Sequence, residues 1–417
     1  MNKNVQPKME TKEPKKSRKL LPEKKKPTIK KDIVKDNDIV RIKGDMDRTF
    51  LILVIVMICF GSVMVFSASY AYALASKGSS YYFIEKQLFF VAAGVVGMFV
   101  VANFIDYRTI KKYTKLYFTI VMILLGVVLL YGTAEGEAQR WIYIPGTSFG
   151  IQPSEFMKLG IVLMLAKYFS ENEKLLDRQT FKYEPVVRRL ALPYALVIIV
   201  CIMVALEKHF SGVIILFLIG TCVIFTAGGQ LKWLLGSGGA FATLLLGVIM
   251  LVPYARGRLD IWLNPENYSS QSETWQTIQG LNAVGSGGFF GVGLGNSLQK
   301  HMFVSQPQND FIFAIIAEEL GFVGAVGTIF LFGVFIWRGL VIANRAPDSF
   351  SKLVVVGIVS KVAIQAVLNI AVVTNTIPNT GISLPFFSYG GSSLMMLLLE
   401  MGIILSISRF SHIRVND

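Results

Sequence analysis

The chain has 417 residues, of which 53% are hydrophobic and 16% charged, with a formal net charge of +14 and a mean hydropathy of +0.55. That balance excludes a soluble globular enzyme of this size, because apolar runs of about 20 residues recur, each long enough to cross a bilayer core of about 30 Å. Three cysteines (Cys59, Cys201, Cys222) and three histidines (His209, His301, His412) are present, none at metal-ligand spacing, so no zinc site is expected and the thiols read as packing groups.

Residues 1–48 come first and hold 16 Lys and Arg against 8 Asp and Glu. Such a composition cannot bury a core, which predicts a basic, disordered cytoplasmic tail. Its charge suits an anionic lipid surface better than nucleic acid, and it is too long and too charged for a cleaved signal peptide. The Asp-Met-Asp at 45–47 lies in this tail without a folded domain around it and reads as incidental.

Ten apolar spans follow, at 49–69, 84–104, 114–132, 153–169, 190–207, 210–227, 232–253, 309–337, 353–374 and 391–409. They predict an all-α polytopic membrane protein with ten transmembrane helices over 49–410 and a short cytoplasmic tail at 411–417. Lys and Arg set the orientation. Segment 106–115 carries four and 167–190 six, whereas 133–152 carries one, 254–308 three and 375–390 none. Both termini are therefore expected in the cytoplasm. Segment 254–308, between helices seven and eight, becomes a large extracytoplasmic loop, long enough to be functional in its own right.

Four polar stretches carry possible chemistry. In AQRWIYIPGTSFGIQPSEFMK (138–158), Arg140 and Trp141 sit at an interface, and Trp141 fits an aromatic belt. Pro153 and Glu155 open a helix in the usual way, with Lys158 spaced to neutralise Glu155. The long loop holds the cations Arg256, Arg258 and Lys300 and, at 285–297, six glycines. That glycine run fits no nucleotide-binding pattern; a flexible or re-entrant turn is the plainer reading.

The third stretch, SQPQNDFIFAIIAEELG (305–321), puts Asp310 at the mouth of an apolar helix, and carboxylates beside hydrocarbon usually mark function. With 309–321 helical, Asp310 shares a face with Ala314, Ala317 and Gly321. Glu318 and Glu319 then lie about 12 Å deeper, too far for the roughly 6.5–9.5 Å of an inverting carboxylate pair. They are expected to bond neighbouring helices, with Lys361 a candidate partner. The fourth stretch, NTIPNTGISLPFFSYGGSS (375–393), includes Ser388 and Ser392. Upstream of it Lys361, Gln365 and Asn369 recur at i, i+4 and i+8. These five residues are read as lining a cavity, although simple helix–helix bonding accounts for many such stripes.

Together these stretches resemble the SEDS family (shape, elongation, division and sporulation), whose members include FtsW, RodA and SpoVE. The carriers are RWI…IQPSEFMK, the Gln- and Gly-rich run from Gln276 to Gly295, QPQNDFIFAIIAEELG and NTGISLPFFSYGGSS, and the likeness is closest to the FtsW/SpoVE type. It covers about residues 49–410. The resemblance implies ten helices in the bacterial cytoplasmic membrane and polymerisation of lipid II into peptidoglycan glycan strands at its outer face. By motif position it implies Asp310 as the catalytic carboxylate, with Arg140, Trp141 and Lys158 as sensitive positions. The leaving diphosphate needs cations, for which Arg140, Lys158, Arg256, Arg258 and Lys300 or a divalent ion (Mg or Mn) are candidates. Implied partners are a class B penicillin-binding protein transpeptidase and other division or elongation proteins. One departure stands out: EKHFSG (207–212) replaces the Pro-Asp-x-Gly signature of many members.

Two other readings use the same facts. A lipid-linked precursor flippase would exploit Lys361 and Glu400, yet the polar residues gather at the outer face and no inverted repeat is evident. A non-catalytic scaffold for a transpeptidase predicts that Asp310→Asn is silent.

Overall fold

The structure is a computed structural model that describes residues 34–36, 39–42, 44–135, 138–143, 150–173, 190–264 and 273–415. Most of the expected basic tail, the 174–189 part of a basic connection, residues 265–272 of the long loop and 416–417 lie outside the described residues.

Among the described residues are twelve helices: α1 (Arg48–Lys77), α2 (Tyr82–Phe104), α3 (Tyr107–Tyr131), α4 (Pro153–Glu171), α5 (Leu192–Leu206), α6 (Phe210–Thr226), α7 (Leu231–Leu251), α8 (Pro253–Leu263), α9 (Glu273–Ser286), α10 (Ile312–Asn344), α11 (Ser349–Val373) and α12 (Gly391–Ser408). Seven of them, α1, α2, α3, α7, α10, α11 and α12, are long and apolar enough to cross a membrane, and α5 and α6 are shorter apolar helices. The chain is a mostly helical, multi-pass membrane protein.

Two small antiparallel sheets qualify the all-α expectation. One joins β1 (Val34–Asp36) and β2 (Ile39–Ile42) to β6 (His412–Val415), so part of the tail expected to be disordered pairs with the opposite terminus. The other joins β3 (Thr133–Glu135), β4 (Ala138–Tyr143) and β5 (Gly150–Ile151). The first correction has a plain cause: β-branched residues dominate 39–42, which favours a strand once a partner is available.

Helix α11 is buried along most of its length and packs against α10, α4 and α6, while α12 lies along α2. Helix α7 has no buried residue; it leans on α6, where Phe241 stacks on Phe217 at 3.8 Å. Both termini meet at one end of the bundle. There Asp47 caps α1 by accepting from the Phe50 N–H at 2.9 Å. The same carboxylate takes a two-pronged contact from Arg338 of α10, at 3.0 and 2.6 Å. Its backbone N–H donates to Ser408 of α12 at 3.0 Å. The second Asp of the Asp-Met-Asp motif therefore clamps three helices.

Helix α10 does not begin at Asp310, as the periodicity suggests; residues 301–311 are turns and the helix opens at Ile312. It also breaks at Gly321, whose φ of 68° and ψ of −164° are non-helical and open only to glycine at low cost. A break inside a membrane frees backbone groups that water cannot satisfy. The glycine-rich segment supplies partners for them. Val292 and Gly293 donate to the carbonyls of Glu318 and Glu319, each at 3.0 Å, and Phe322 and Val323 donate to those of Gly288 and Phe289 at 2.9 and 3.2 Å. The glycines are needed for this approach: a Cβ on Gly291 would sit 2.2 Å from the Glu319 carbonyl oxygen.

Gly321→Ala places a Cβ 2.3 Å from the Gly291 nitrogen on a backbone unsuited to alanine. It is expected to cost on the order of 1–3 kcal/mol or more, read as a fall in unfolding temperature in detergent. Gly327→Ala on the same helix, with open space around it, is expected to leave that temperature unchanged or raise it.

Candidate active site

The end of the bundle opposite the termini carries the polar stretches. Asp310 occupies the last turn before α10, half-buried. Its position is fixed through the main chain. Three successive carbonyls are each held from the α11–α12 side: Gln308 O by the Tyr389 N–H at 2.8 Å, Asn309 O by the Ser388 hydroxyl at 2.7 Å, and Asp310 O by the Asn369 amide at 2.7 Å. Asn369 spends its other amide proton on Ile382 O at 2.6 Å, and Ser388 accepts from the Leu384 N–H at 2.7 Å. A Cβ on Gly381 would lie 3.8 Å from Asp310 Oδ2, so the carboxylate borders the 375–390 segment. Pro and Gly residues let that segment fold back over α11 far enough to reach it.

Lys361, Gln365 and Ser388 border a small cavity of about 20 Å³ together with Glu155, room for a water molecule. Ser392 instead faces a separate, larger groove, and Asn369 is fully buried in the bonds just given. Two buried lysines in this region are paired. Lys158 Nζ lies 2.6 Å from Glu155 Oε1, and Lys361 Nζ contacts both oxygens of Glu400 at 2.7 and 2.6 Å. Pairing of this kind offsets the large desolvation cost of a buried ion.

Lys300 corrects the sequence reading. It is not an accessible cation for a diphosphate but a fully buried one, 2.6 Å from an equally buried Glu319. The Ser67 hydroxyl of α1 donates to the same carboxylate at 2.6 Å. Glu318 accepts from the Ser297 hydroxyl and from the Leu298 N–H at 2.9 Å. The two glutamates thus pin the glycine-rich segment to α10, and Lys361, their expected partner, belongs to Glu400.

The other predicted cations are dispersed. Arg140 on β4 donates to the Lys208 carbonyl at 2.9 Å. Arg258 on α8 donates to Asn379 O at 3.3 Å, and Trp262 one turn on donates to Asn375 O at 3.0 Å, so α8 is tied to the 375–390 segment. Arg256 is exposed, 3.9 Å from Asp260. Trp141 lies 6.3 Å from Tyr143 with the rings nearly parallel, and both border the large groove.

The α5–α6 corner, where EKHFSG departs from the usual motif, holds two buried titratable groups that no local sequence pattern marks. There Glu207 is fully buried and neither carboxylate oxygen meets a donor among the described residues. Burial raises this carboxyl to about 8, with Arg140 pulling the other way. His209 is buried, its Nδ1 3.3 Å from the Ser154 hydroxyl; burial, reinforced by Arg140 and Lys158, lowers the imidazole to about 3. Both groups are therefore neutral at pH 7.

Similarity to known proteins extends over nearly the whole chain. The profile of a family described as cell cycle protein, FtsW/RodA/SpoVE, matches residues 47–413. Stage V sporulation protein E of Bacillus subtilis is 39% identical over 374 residues, covering 89% of this chain and 99% of its own. The probable peptidoglycan glycosyltransferase FtsW of the same organism is 36% identical over 373 residues, covering 86% and 90%. A solved structure described as "Structural coordination of polymerization and crosslinking by a peptidoglycan synthase complex" aligns with a TM-score of 0.71 at 26% identity, over 88% of this chain and 98% of that one. The rod shape determining protein RodA of Thermus thermophilus aligns with a TM-score of 0.63 at 25% identity, over 87% and 97%.

The buried corner predicts opposite pH responses for its two groups. Between pH 6.5 and 3 the unfolded chain binds a proton at His209 that the folded one refuses, so acid destabilises. Between 4.5 and 8 the folded chain holds a proton at Glu207 that the unfolded one releases, so rising pH destabilises. His209→Gln is expected to flatten the fall in unfolding temperature on the acid side, and Glu207→Gln the fall towards pH 8.

Proposed function

The chain belongs to the FtsW/RodA/SpoVE family, and from that premise we propose that it is a peptidoglycan glycosyltransferase that polymerises lipid II in cell division, with Asp310 as general base. The relatives named as probable peptidoglycan glycosyltransferases support the activity. The observation that carries the assignment to Asp310 is the set of three consecutive carbonyls bonded from α11 and the 375–390 segment, which gives one half-buried carboxylate a fixed place at the polar end of an apolar bundle. Helices α4, α5 and α6 complete a count of ten spans, in which the termini are cytoplasmic and the Asp310 end extracytoplasmic. The alternation of Lys and Arg supports that orientation.

In the reaction, the Asp310 carboxylate accepts the proton of the acceptor's GlcNAc 4-hydroxyl as its oxygen forms a bond to the anomeric carbon of the donor MurNAc. The bond from that carbon to the diphosphate oxygen breaks, and the electron pair leaves with undecaprenyl diphosphate. General-base assistance of this kind contributes roughly 10²–10⁴-fold. Asn369 and Ser388 act as positioning residues, since they touch the Asp310 turn rather than the reacting atoms. Arg140 and Trp141 border the substrate's approach, and Lys158 and Lys361 set the charge of the inner wall through their glutamates. No three His, Cys, Asp or Glu side chains converge among the described residues. A divalent ion would therefore take most of its ligands from the diphosphate itself, and no step here depends on one. A transporter would need mobile charge at the midplane, whereas Lys361 and Glu400 neutralise each other. A class B penicillin-binding protein transpeptidase is the partner this reading expects, in keeping with the pairing of polymerization and crosslinking in the aligned synthase complex.

With purified protein, lipid II and that partner, Asp310→Asn is expected to retain its fold and lose polymer by about 10²-fold or more; wild-type polymer yield from the variant would move the base elsewhere. Asn369→Leu and Ser388→Ala are expected to lower kcat about tenfold, within the usual cost of misplacing a catalytic group, at nearly unchanged KM, with Ser388→Thr recovering most of the loss. A rise in KM alone would mean that these residues bind substrate instead.

A further inference from the structure

A cavity of about 1390 Å³ runs between the α1–α2 corner, β4, the Asp310 turn and the start of α12. Its contents fall into three zones. Gln308 and Asn309, the residues just before Asp310, line one end. At the rim stand Lys77, the last residue of α1, and Lys86, in the second turn of α2. Three and four residues beyond Lys86, and so on the same side of the helix one turn deeper, come Phe89 and Phe90, with Phe89 69% exposed.

The two lysines converge. Lys86 Nζ donates to the Tyr82 hydroxyl at 2.8 Å and lies 4.3 Å from the Tyr82 ring centroid, and Lys77 Nζ lies 5.7 Å from the same centroid. Both ammoniums therefore gather around one ring. Glu85 shares the rim, leaving it one charge positive. Lys77 is exposed and Lys86 half-exposed, unlike the sealed Lys158 and Lys300. A lysine ammonium is a compact charge suited to phosphate oxygens. A cationic rim, an aromatic wall descending one flank and a polar end beside the catalytic turn together match a molecule with an anionic head, a hydrocarbon tail and a sugar.

We propose that this groove is the site of the lipid-linked glycosyl donor. Lys77 and Lys86 hold its diphosphate, Phe89 and Phe90 carry its polyprenyl chain towards the bilayer, and the Trp141–Tyr143 pair faces its sugar. The inference rests on the polymerase reading. It supplies the leaving group's counter-charge that Lys300 cannot give.

The test is binding of undecaprenyl diphosphate to the full-length protein in detergent, followed by the fluorescence of its tryptophans, beside lipid II polymerisation. Lys77→Gln/Lys86→Gln is expected to weaken binding about tenfold or more and to raise KM with kcat changed less. Lys77→Arg/Lys86→Arg is expected to restore most of both. Undecaprenol, which lacks the diphosphate, is expected to bind wild type and the Gln variant alike, and inorganic pyrophosphate to compete weakly because it lacks the chain. Unchanged diphosphate-lipid binding and KM in the Gln variant, with an unchanged unfolding temperature, would overturn the assignment while leaving polymerase activity standing. Lysine-dependent binding by a wild type that makes no polymer would uphold the lipid site and reject the polymerase reading.

Discussion

A carboxylate or ammonium inside an apolar bundle has to be matched from within the protein, and this requirement arranges the whole molecule. Glu155 meets Lys158, Glu400 meets Lys361 and Glu319 meets Lys300, in each case at 2.6 Å. The first two pairs lie on helices that cross the centre of the bundle. The third reaches from a helix to a non-helical segment, and it is this pair, with Glu318 and Ser297, that draws the glycine-rich run against the break in α10. The turns that follow then lead the chain to Asp310. The placement of the Asp310 turn at the polar end therefore depends on charge matching some way inside the bundle.

The same demand governs backbone groups. Breaking α10 at Gly321 exposes two carbonyls and two N–H groups, and the segment 288–293 satisfies all four. Folding 375–390 back over α11 sets Ser388 and Tyr389 beside Asn369 of α11, and the three bond the adjacent carbonyls of residues 308–310. In both places irregular chain is tolerated beside the apolar bundle because its backbone groups are bonded to other protein. Glycine and proline supply the bends; backbone N–H groups supply five of the seven donors, and the Asn369 and Ser388 side chains the other two.

Much of this was legible in the sequence. Each of the ten apolar segments overlaps a helix, and seven of those helices are long and apolar enough to cross a membrane. The Glu155–Lys158 pair followed from helical spacing. What failed did so for identifiable reasons. Periodicity ran the helix through Asp310 and Gly321, because apolar spacing is blind to a left-handed backbone angle. Lys300 looked like a surface cation because its partner, Glu319, is distant along the chain and no local pattern joins them. Lys361 was matched to the wrong glutamate, as Glu400 reaches it only through packing of α12 on α11. Lys77 and Lys86 carry no local motif, and only the fold shows that they share one tyrosine and one groove. The Asp-Met-Asp motif reads as incidental in the sequence, and the clamp of its second Asp on Arg338 could not be seen without α10 in place.

The central claim is that the Asp310 turn, held by its three carbonyls, presents a carboxylate to the acceptor hydroxyl. A solved structure of the Asp310→Asn variant with lipid-linked donor and acceptor bound tests it most directly. The acceptor's 4-hydroxyl oxygen is then expected within about 3.2 Å of the side chain at position 310, with the carbonyls of 308–310 still bonded to Tyr389, Ser388 and Asn369. An acceptor hydroxyl seated against a different carboxylate, with the side chain at position 310 turned away from both sugars, would contradict it.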